Sequence, residues 1–193
     1  MLNNALSHVK VQHAITKQKC TEILQYCDNQ FGSDGENQQL ISNVRVSNEN
    51  FIDKKEYKEE FFKHVRTINN VYKFNFDITA VEDLQFTRYF DGGEYKWHVD
   101  SHMAPYTSEA SEYLQGTVRK FTGILLLNNP QDFVGGELEL ATGLPDDINY
   151  VKEISLDQGD MVVFPSFVPH RIKPIEKGCR KSIVVWGVGP LFK

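Results

Sequence analysis

Three runs near the C-terminus decide how this chain folds: Gln158-Gly159-Asp160-Met161-Val162-Val163-Phe164-Pro165, then His170-Arg171-Ile172-Lys173, then Lys181-Ser182-Ile183-Val184-Val185-Trp186-Gly187-Val188. Each is short, rich in β-branched or aromatic residues, and bounded by Gly, Pro or Asp, which is how strands read. The same texture continues back through Val151–Leu156, Glu137–Leu140, Lys120–Leu127, Tyr95–Asp100 and Leu84–Phe90. Turn residues separate them at Asp91-Gly92-Gly93, Asn128-Asn129-Pro130 and Gly135-Gly136. Regularly spaced strands without intervening helices predict an all-β sandwich or barrel of jelly-roll type.

Before residue 80 the period changes. Thr16 is a candidate N-cap for a helix bearing Cys20, Ile23, Leu24, Cys27 and Phe31. Asp53 with Glu56 reads as a capping box for a second helix, whose stripe is Tyr57, Phe61, Val65, Ile68 and Tyr72. Gly32–Gln39 reads as a loop and Leu40–Val46 as a short strand. The expectation is one domain, residues 1–193, mainly β with N-terminal helices: residues 1–80 a helical support, 81–193 the core carrying the site.

Composition narrows the function. The 193 residues are 40% hydrophobic, a globular share, and no apolar run approaches the roughly 20 residues of a membrane span. Met1-Leu2-Asn3-Asn4 lacks the order of a secretory signal. A net charge of −5 repels phosphate backbones, so no nucleic-acid partner and no membrane are expected. Arg171, Lys173, Lys177, Arg180 and Lys181 are the candidates for a local basic patch. Three cysteines, Cys20, Cys27 and Cys179, form no CxxC pair and indicate a reducing compartment, hence the cytoplasm, or the host cytoplasm for a viral protein.

His98 and Asp100 stand at i and i+2, which on a strand points both to one face while Trp97 and Val99 take the other. His170, at the head of a strand 72 residues later, offers a third ligand at the mouth of a barrel. Two histidines and a carboxylate leave coordination positions open, the arrangement suited to non-haem iron and oxygen. Arg180, with Ser182 on the same face, opens an apolar strand and needs an anion. A ligand carboxylate is one candidate, and Glu137, Glu139 or Asp157 across the sheet are the others. His102 shares the parity of the ligands but reads as a loop histidine, and His8, His13 and His64 as surface residues. Ser101–Val118, a long polar connection, is a candidate substrate lid, with Asp91–Glu94 and Leu140–Tyr150 as the other loops able to set specificity.

These stretches resemble the Fe(II)- and 2-oxoglutarate-dependent oxygenases, in particular the prolyl-4-hydroxylase-like branch with its PKHD-type hydroxylases. The matching residues are Arg88-Tyr89, Gly93, Tyr95–Asp100, Arg119–Leu127, Gly135–Leu138, Gly159-Asp160, Phe164–Ser166, His170–Ile172, Pro174 and Gly178–Arg180. The resemblance implies a double-stranded β-helix with His98, Asp100 and His170 as iron ligands. It makes Arg180 the partner of the distal carboxylate of 2-oxoglutarate, with Ser182 and Tyr89 as further donors. It implies Fe(II), with 2-oxoglutarate and O2 as cosubstrates and ascorbate as auxiliary reductant. The implied reaction is hydroxylation of a C–H bond, on family weight a prolyl residue in a peptide or protein, ahead of a small molecule, by a monomer or homodimer. One departure stands out: relatives often carry a cosubstrate-binding tyrosine where this chain has Leu125 and Leu126. The alternatives are a cupin-like metal- or ligand-binding barrel and an interaction protein with an incidental triad.

Overall fold

A computed structural model of the chain describes residues 8–32, 39–101, 104–141 and 151–192. His102 falls outside these, as do most of Gly32–Gln39 and of Leu140–Tyr150. The strands are β1 (Val9–Val11), β2 (Gln39–Ile41), β3 (Arg45–Ile52), β4 (Ala80–Val81), β5 (Leu84–Tyr89), β6 (Glu94–His98) and β7 (Thr117–Leu126). They continue as β8 (Phe133–Gly135), β9 (Leu138–Ala141), β10 (Val151–Ile154), β11 (Met161–Pro165), β12 (His170–Ile172), β13 (Ile175–Gly178) and β14 (Arg180–Pro190). The helices are α1 (Lys17–Phe31) and α2 (Lys55–Val71).

One curled antiparallel sheet runs β1-β11-β7-β14-β5-β3-β6-β12-β9-β10, with β2 joined to β3 and β4 to β14. The β3 strand turns the corner, because Asn48–Ile52 pair with β5 while Arg45 and Val46 pair with β6. The sheet therefore faces itself, and Ile124, Leu126, Val162 and Phe164 pack against Leu138, Leu140, Ile154 and Ile172 to form the inner core. Its convex face carries a second core, where Phe86, Phe121, Leu125, Met161, Ile183 and Val185 meet the stripes of the two helices. This is the jelly-roll expected, with the helices as buttress.

Two expectations need correction. Residues before 80 are not only helical: β3 is the corner of the sheet, and the strand expected at Leu40–Val46 is a hairpin broken at Ser42–Val44. Alternation of polar and apolar residues in Arg45–Ile52 hid it, since both faces of this strand bury polar groups such as Ser47 and Asn48. The second concerns caps. Thr16 does cap α1, its hydroxyl accepting from the Lys19 amide at 3.1 Å. No side chain caps α2, whose N-cap is Lys54, and the Asp53 carboxylate bonds Lys58 Nζ at 3.0 Å instead. Tyr72 ends α2 largely exposed. Gly135 and Gly136 form the tight turn expected, both at positive φ, and a Cβ on Gly135 would lie 2.3 Å from the Pro174 carbonyl.

The caps give a test by urea denaturation. Thr16→Ala is expected to cost about 1 kcal/mol, and Asp53→Ala measurably less, because its partner Lys58 keeps Asp83 at 2.6 Å. Equal losses would mean that Asp53 caps α2 after all.

Candidate metal centre and its cavity

The antiparallel ladder makes His170 and His98 register partners, so strands distant in sequence place two imidazoles side by side, ring centroids 4.1 Å apart. Asp100 lies two residues beyond the end of β6, and its amide and that of Ser101 both donate to the Ser166 carbonyl at 2.9 Å. Its carboxylate then reaches both imidazoles, 3.6 Å from His98 Nε2 and 3.5 Å from His170 Nε2. The three donor atoms lie within 4.8 Å of one another. Trp97 and Val99 point outward, as the i, i+2 spacing requires.

Both histidines are prepared as ligands in the same way. Nδ1 of His98 meets the Lys96 carbonyl at 2.8 Å and Nδ1 of His170 meets the Val168 carbonyl at 3.0 Å. A carbonyl only accepts, so each Nδ1 carries the proton and each Nε2 presents a lone pair toward the cluster. Burial, and then the neighbouring His170, pushes His98 down to about 4, and burial lowers His170 as well. Burial alone would raise Asp100, but His170 and hydrogen bonds from Trp186 and Thr122 outweigh it and hold the carboxyl below its ordinary value. The donor set is therefore two neutral imidazoles and one carboxylate, which fits a divalent iron. His8, His13 and His64 do not join it.

Asp100 is anchored through one oxygen. Oδ2 accepts from Thr122 Oγ1 at 2.7 Å and from Trp186 Nε1 at 2.9 Å. Thr122 is on β7 and Trp186 on β14, opposite each other in register. The cluster opens into a cavity of about 150 Å³ lined also by Arg45, Tyr89, Tyr95, Arg119, Ile124, Val184 and Trp186.

Two register shifts create this lining. Between β7 and β14, Val188 pairs with Arg119 while Gly187 pairs with Phe121, so one extra residue at Lys120 brings Arg119 onto the same wall as Thr122. Between β6 and β12, His170 pairs with His98 but Ile172 with Tyr95, so Tyr95 and His98 share the inner face, stacked with ring centroids 3.4 Å apart. Neither shift is legible in the strand alternation, and Tyr95 and Arg119 escaped the sequence reading for that reason, while Arg45 lies on β3, whose place at the corner of the sheet the sequence did not show. Trp186 and Thr122 could have been found, since Trp186 has the parity of Arg180 and Thr122 faces it.

Arg180 is 3% exposed and is the register partner of Tyr89. Its Nη1 donates to Ser182 Oγ at 3.0 Å. None of the carboxylates weighed for it takes part: Glu139 holds Arg171 at 2.5 Å, Glu137 holds Lys173 at 3.3 Å, and among the described residues no ion pair reaches Arg180. Burial accordingly depresses its pKa, with Tyr89 the one neighbour opposing. The two guanidiniums that line the cavity, Arg45 and Arg119, are each matched. Arg45 pairs with Glu49, and Arg119 forks onto Glu82 with both bonds at 2.7 Å while lying 3.6 Å over the Trp186 ring. The basic run expected near the C-terminus forms no patch, since Arg180 is buried, Arg171 and Lys173 are paired, and Lys181 faces Asp28.

The described part of Ser101–Val118 is docked rather than free. Tyr106 Oη donates to Glu82 at 2.8 Å, and the amides of Tyr106 and Gly116 close a small loop with Thr117 and Tyr106.

Residues 84–187 match the 2OG-Fe(II) oxygenase superfamily. The chain belongs to that family. A PKHD-type hydroxylase of Acidovorax ebreus (strain TPSY) is 34% identical over 106 residues, 53% of this chain and 41% of that protein. The chain thus spans about two fifths of the length of that relative. The viral collagen prolyl hydroxylase of Paramecium Bursaria Chlorella virus-1, solved as its 2OG complex, superposes with a TM-score of 0.72 at 18% identity, covering 99% of this chain and 100% of that one. A Trichoplax adhaerens prolyl hydroxylase, solved with a peptide fragment of the hypoxia inducible factor oxygen degradation domain, gives 0.65 at 24% identity over 95% and 84%. The family implies Fe(II), 2-oxoglutarate and O2. No helix among the described residues is long and apolar enough to cross a membrane.

Two measurements check the centre. A proton and a metal compete for each Nε2, so Co(II) affinity by calorimetry is expected to stay level as pH falls through the ordinary imidazole value near 6.5 and to drop only toward about 4. A fall centred on the ordinary value would show a solvated His98. Separately, Trp186→Phe and Thr122→Val should each weaken metal binding about 10–100-fold, measured on protein that circular dichroism shows to be folded, and unaltered affinity would mean that the carboxylate needs no anchor.

Proposed function

We propose that the chain is a dioxygenase unit in which His98, Asp100 and His170 hold Fe(II) while Arg180, assisted by Ser182 and Tyr89, holds the distal carboxylate of 2-oxoglutarate. The observation that carries this reading is the buried Arg180 guanidinium, which has no ion pair among the described residues and shares its face of β14 with Val184 and Trp186 of the cavity wall. An unpaired buried charge is costly, and a cosubstrate carboxylate supplies the missing partner in bidentate form. A barrel that merely bound metal would have no use for it. Leu126 stands opposite Ser182, and Tyr89, beside Arg180, is a phenol available to the cosubstrate.

When bound, iron and 2-oxoglutarate activate O2, with loss of CO2, formation of succinate and delivery of one oxygen atom to a C–H bond. The chain's own residues do the rest. The Lys96 and Val168 carbonyls fix the imidazole planes. Thr122 and Trp186 occupy Oδ2 of Asp100 and leave Oδ1 for the ion. Ile124, Val184 and Trp186 line the cavity with apolar surface that limits water.

The substrate we infer is a prolyl residue within a peptide or protein. Charge matching supports a chain-embedded residue over a free amino acid. Among the described residues that line the cavity the two arginines are already engaged, Arg45 by Glu49 and Arg119 by Glu82, which leaves neither for a free α-carboxylate. The prolyl hydroxylases among the structural neighbours support proline as the residue.

Removing the forked pair should cost about 3–5 kcal/mol, roughly two to four decades in affinity. Arg180→Leu is therefore expected to raise the 2-oxoglutarate requirement by that factor while Fe(II) binding stays near wild type, with Arg180→Lys between and Ser182→Ala mildest. Succinate formation reads the requirement, and mass spectrometry of prolyl peptides against free proline reads the substrate. Wild-type cosubstrate affinity in Arg180→Leu would assign the carboxylate elsewhere.

A further inference from the structure

Outside the metal cavity, a larger depression of about 360 Å³ lies on the outer face of the β6–β12 pair, lined by Glu94, Lys96, Trp97, Arg171, Ile172, Lys173 and Pro174. It sits over the register shift between His98 and Tyr95, which leaves Lys96 and Trp97 unpaired with β12. Trp97 is 38% exposed although its Arg171 neighbour lies over the ring at 4.9 Å. The groove adjoins the site, since Ile172 lines both depressions and Trp97 directly precedes His98. Its rim extends to the β2–β3 turn, where Lys96 donates its amide to the Val44 carbonyl at 2.8 Å and its ammonium to the Asn43 carbonyl at 2.9 Å. Val44 is itself half exposed.

The charges at this groove are already matched. Arg171 is bound to Glu139, Lys173 to Glu137, and Lys96 has Glu94 at 3.8 Å. Such a surface selects neither an acidic nor a basic occupant. What remains to be covered is an indole face with proline and aliphatic neighbours, a lining suited to an uncharged segment in polyproline II conformation.

We propose that this groove receives the flank of the polypeptide substrate, an uncharged proline-rich segment that packs on Trp97 while the residue to be hydroxylated enters the cavity. This rests on the peptide reading given above. The groove makes affinity depend on peptide length, and Trp97 is the residue that reads it.

The experiment compares two uncharged peptides with the same central proline, a pentamer and a proline-rich dodecamer, on wild type, Trp97→Ala and Trp97→Phe. A solvent-facing indole can be removed without unfolding the barrel, which circular dichroism checks. Binding of the fluorescently labelled dodecamer is measured by anisotropy apart from turnover. For Trp97→Ala the expected result is about tenfold weaker dodecamer binding, the size of a single anchor. KM should rise equally for the dodecamer alone, with kcat and pentamer kinetics unchanged and partial rescue in Trp97→Phe. Dodecamer binding lost in Trp97→Ala without hydroxylation of either peptide would support the groove and overturn the prolyl reading instead. Identical binding and KM in wild type and Trp97→Ala, or no dodecamer binding by wild type, would overturn the groove.

Discussion

The Asp100 carboxylate is a buried charge, and satisfying it organises the molecule. Trp186 reaches it from β14, Thr122 from β7, and the Ser166 carbonyl fixes its backbone from the turn between β11 and β12. A carboxylate kept from water needs such partners or it takes up a proton. Each partner comes from a different strand or turn, so the acid is stable only once the sheet has curled and closed. The same closure sets His170 beside His98, and fold and donor cluster are therefore one event.

Closure alone would not shape the cavity. A strictly alternating ladder would turn Arg119 and Tyr95 away from the wall that holds Thr122 and His98. The extra residue at Lys120 and the shift near Lys96 defeat that alternation where it matters, placing a guanidinium against Trp186 and a phenol ring against His98. Bulges at the rim of a barrel commonly re-aim side chains in this way. Trp97, next to His98, keeps the ordinary alternation and stays on the outer face, beside the groove.

Charge matching then separates binding roles from structural ones. Glu82 neutralises Arg119 and receives the Tyr106 hydroxyl, so it ties the connection after the ligands to the cavity wall. Glu49 neutralises Arg45, whose guanidinium lies 4.3 Å over the Tyr95 ring. Arg180 is left out of this accounting among the described residues, and that exception sets it apart from Arg45 and Arg119 more sharply than residue type could.

Much of this was legible in the amino-acid order. Strand texture after residue 80, helical stripes before it, the His98–Asp100 spacing and the position of Arg180 are local patterns, and local geometry follows from local sequence. The capping of α1 by Thr16 is of the same kind. The absence of a cap on α2 was not, because Lys58 competes for Asp53. Nor was the corner strand β3, because its role depends on which strands flank it. Register shifts, the pairing of Arg119 with Glu82, and the want of an ion pair at Arg180 among the described residues arise between residues far apart in the chain. Spacing along one strand cannot specify them; only the closed sheet, which decides what stands opposite what, does so.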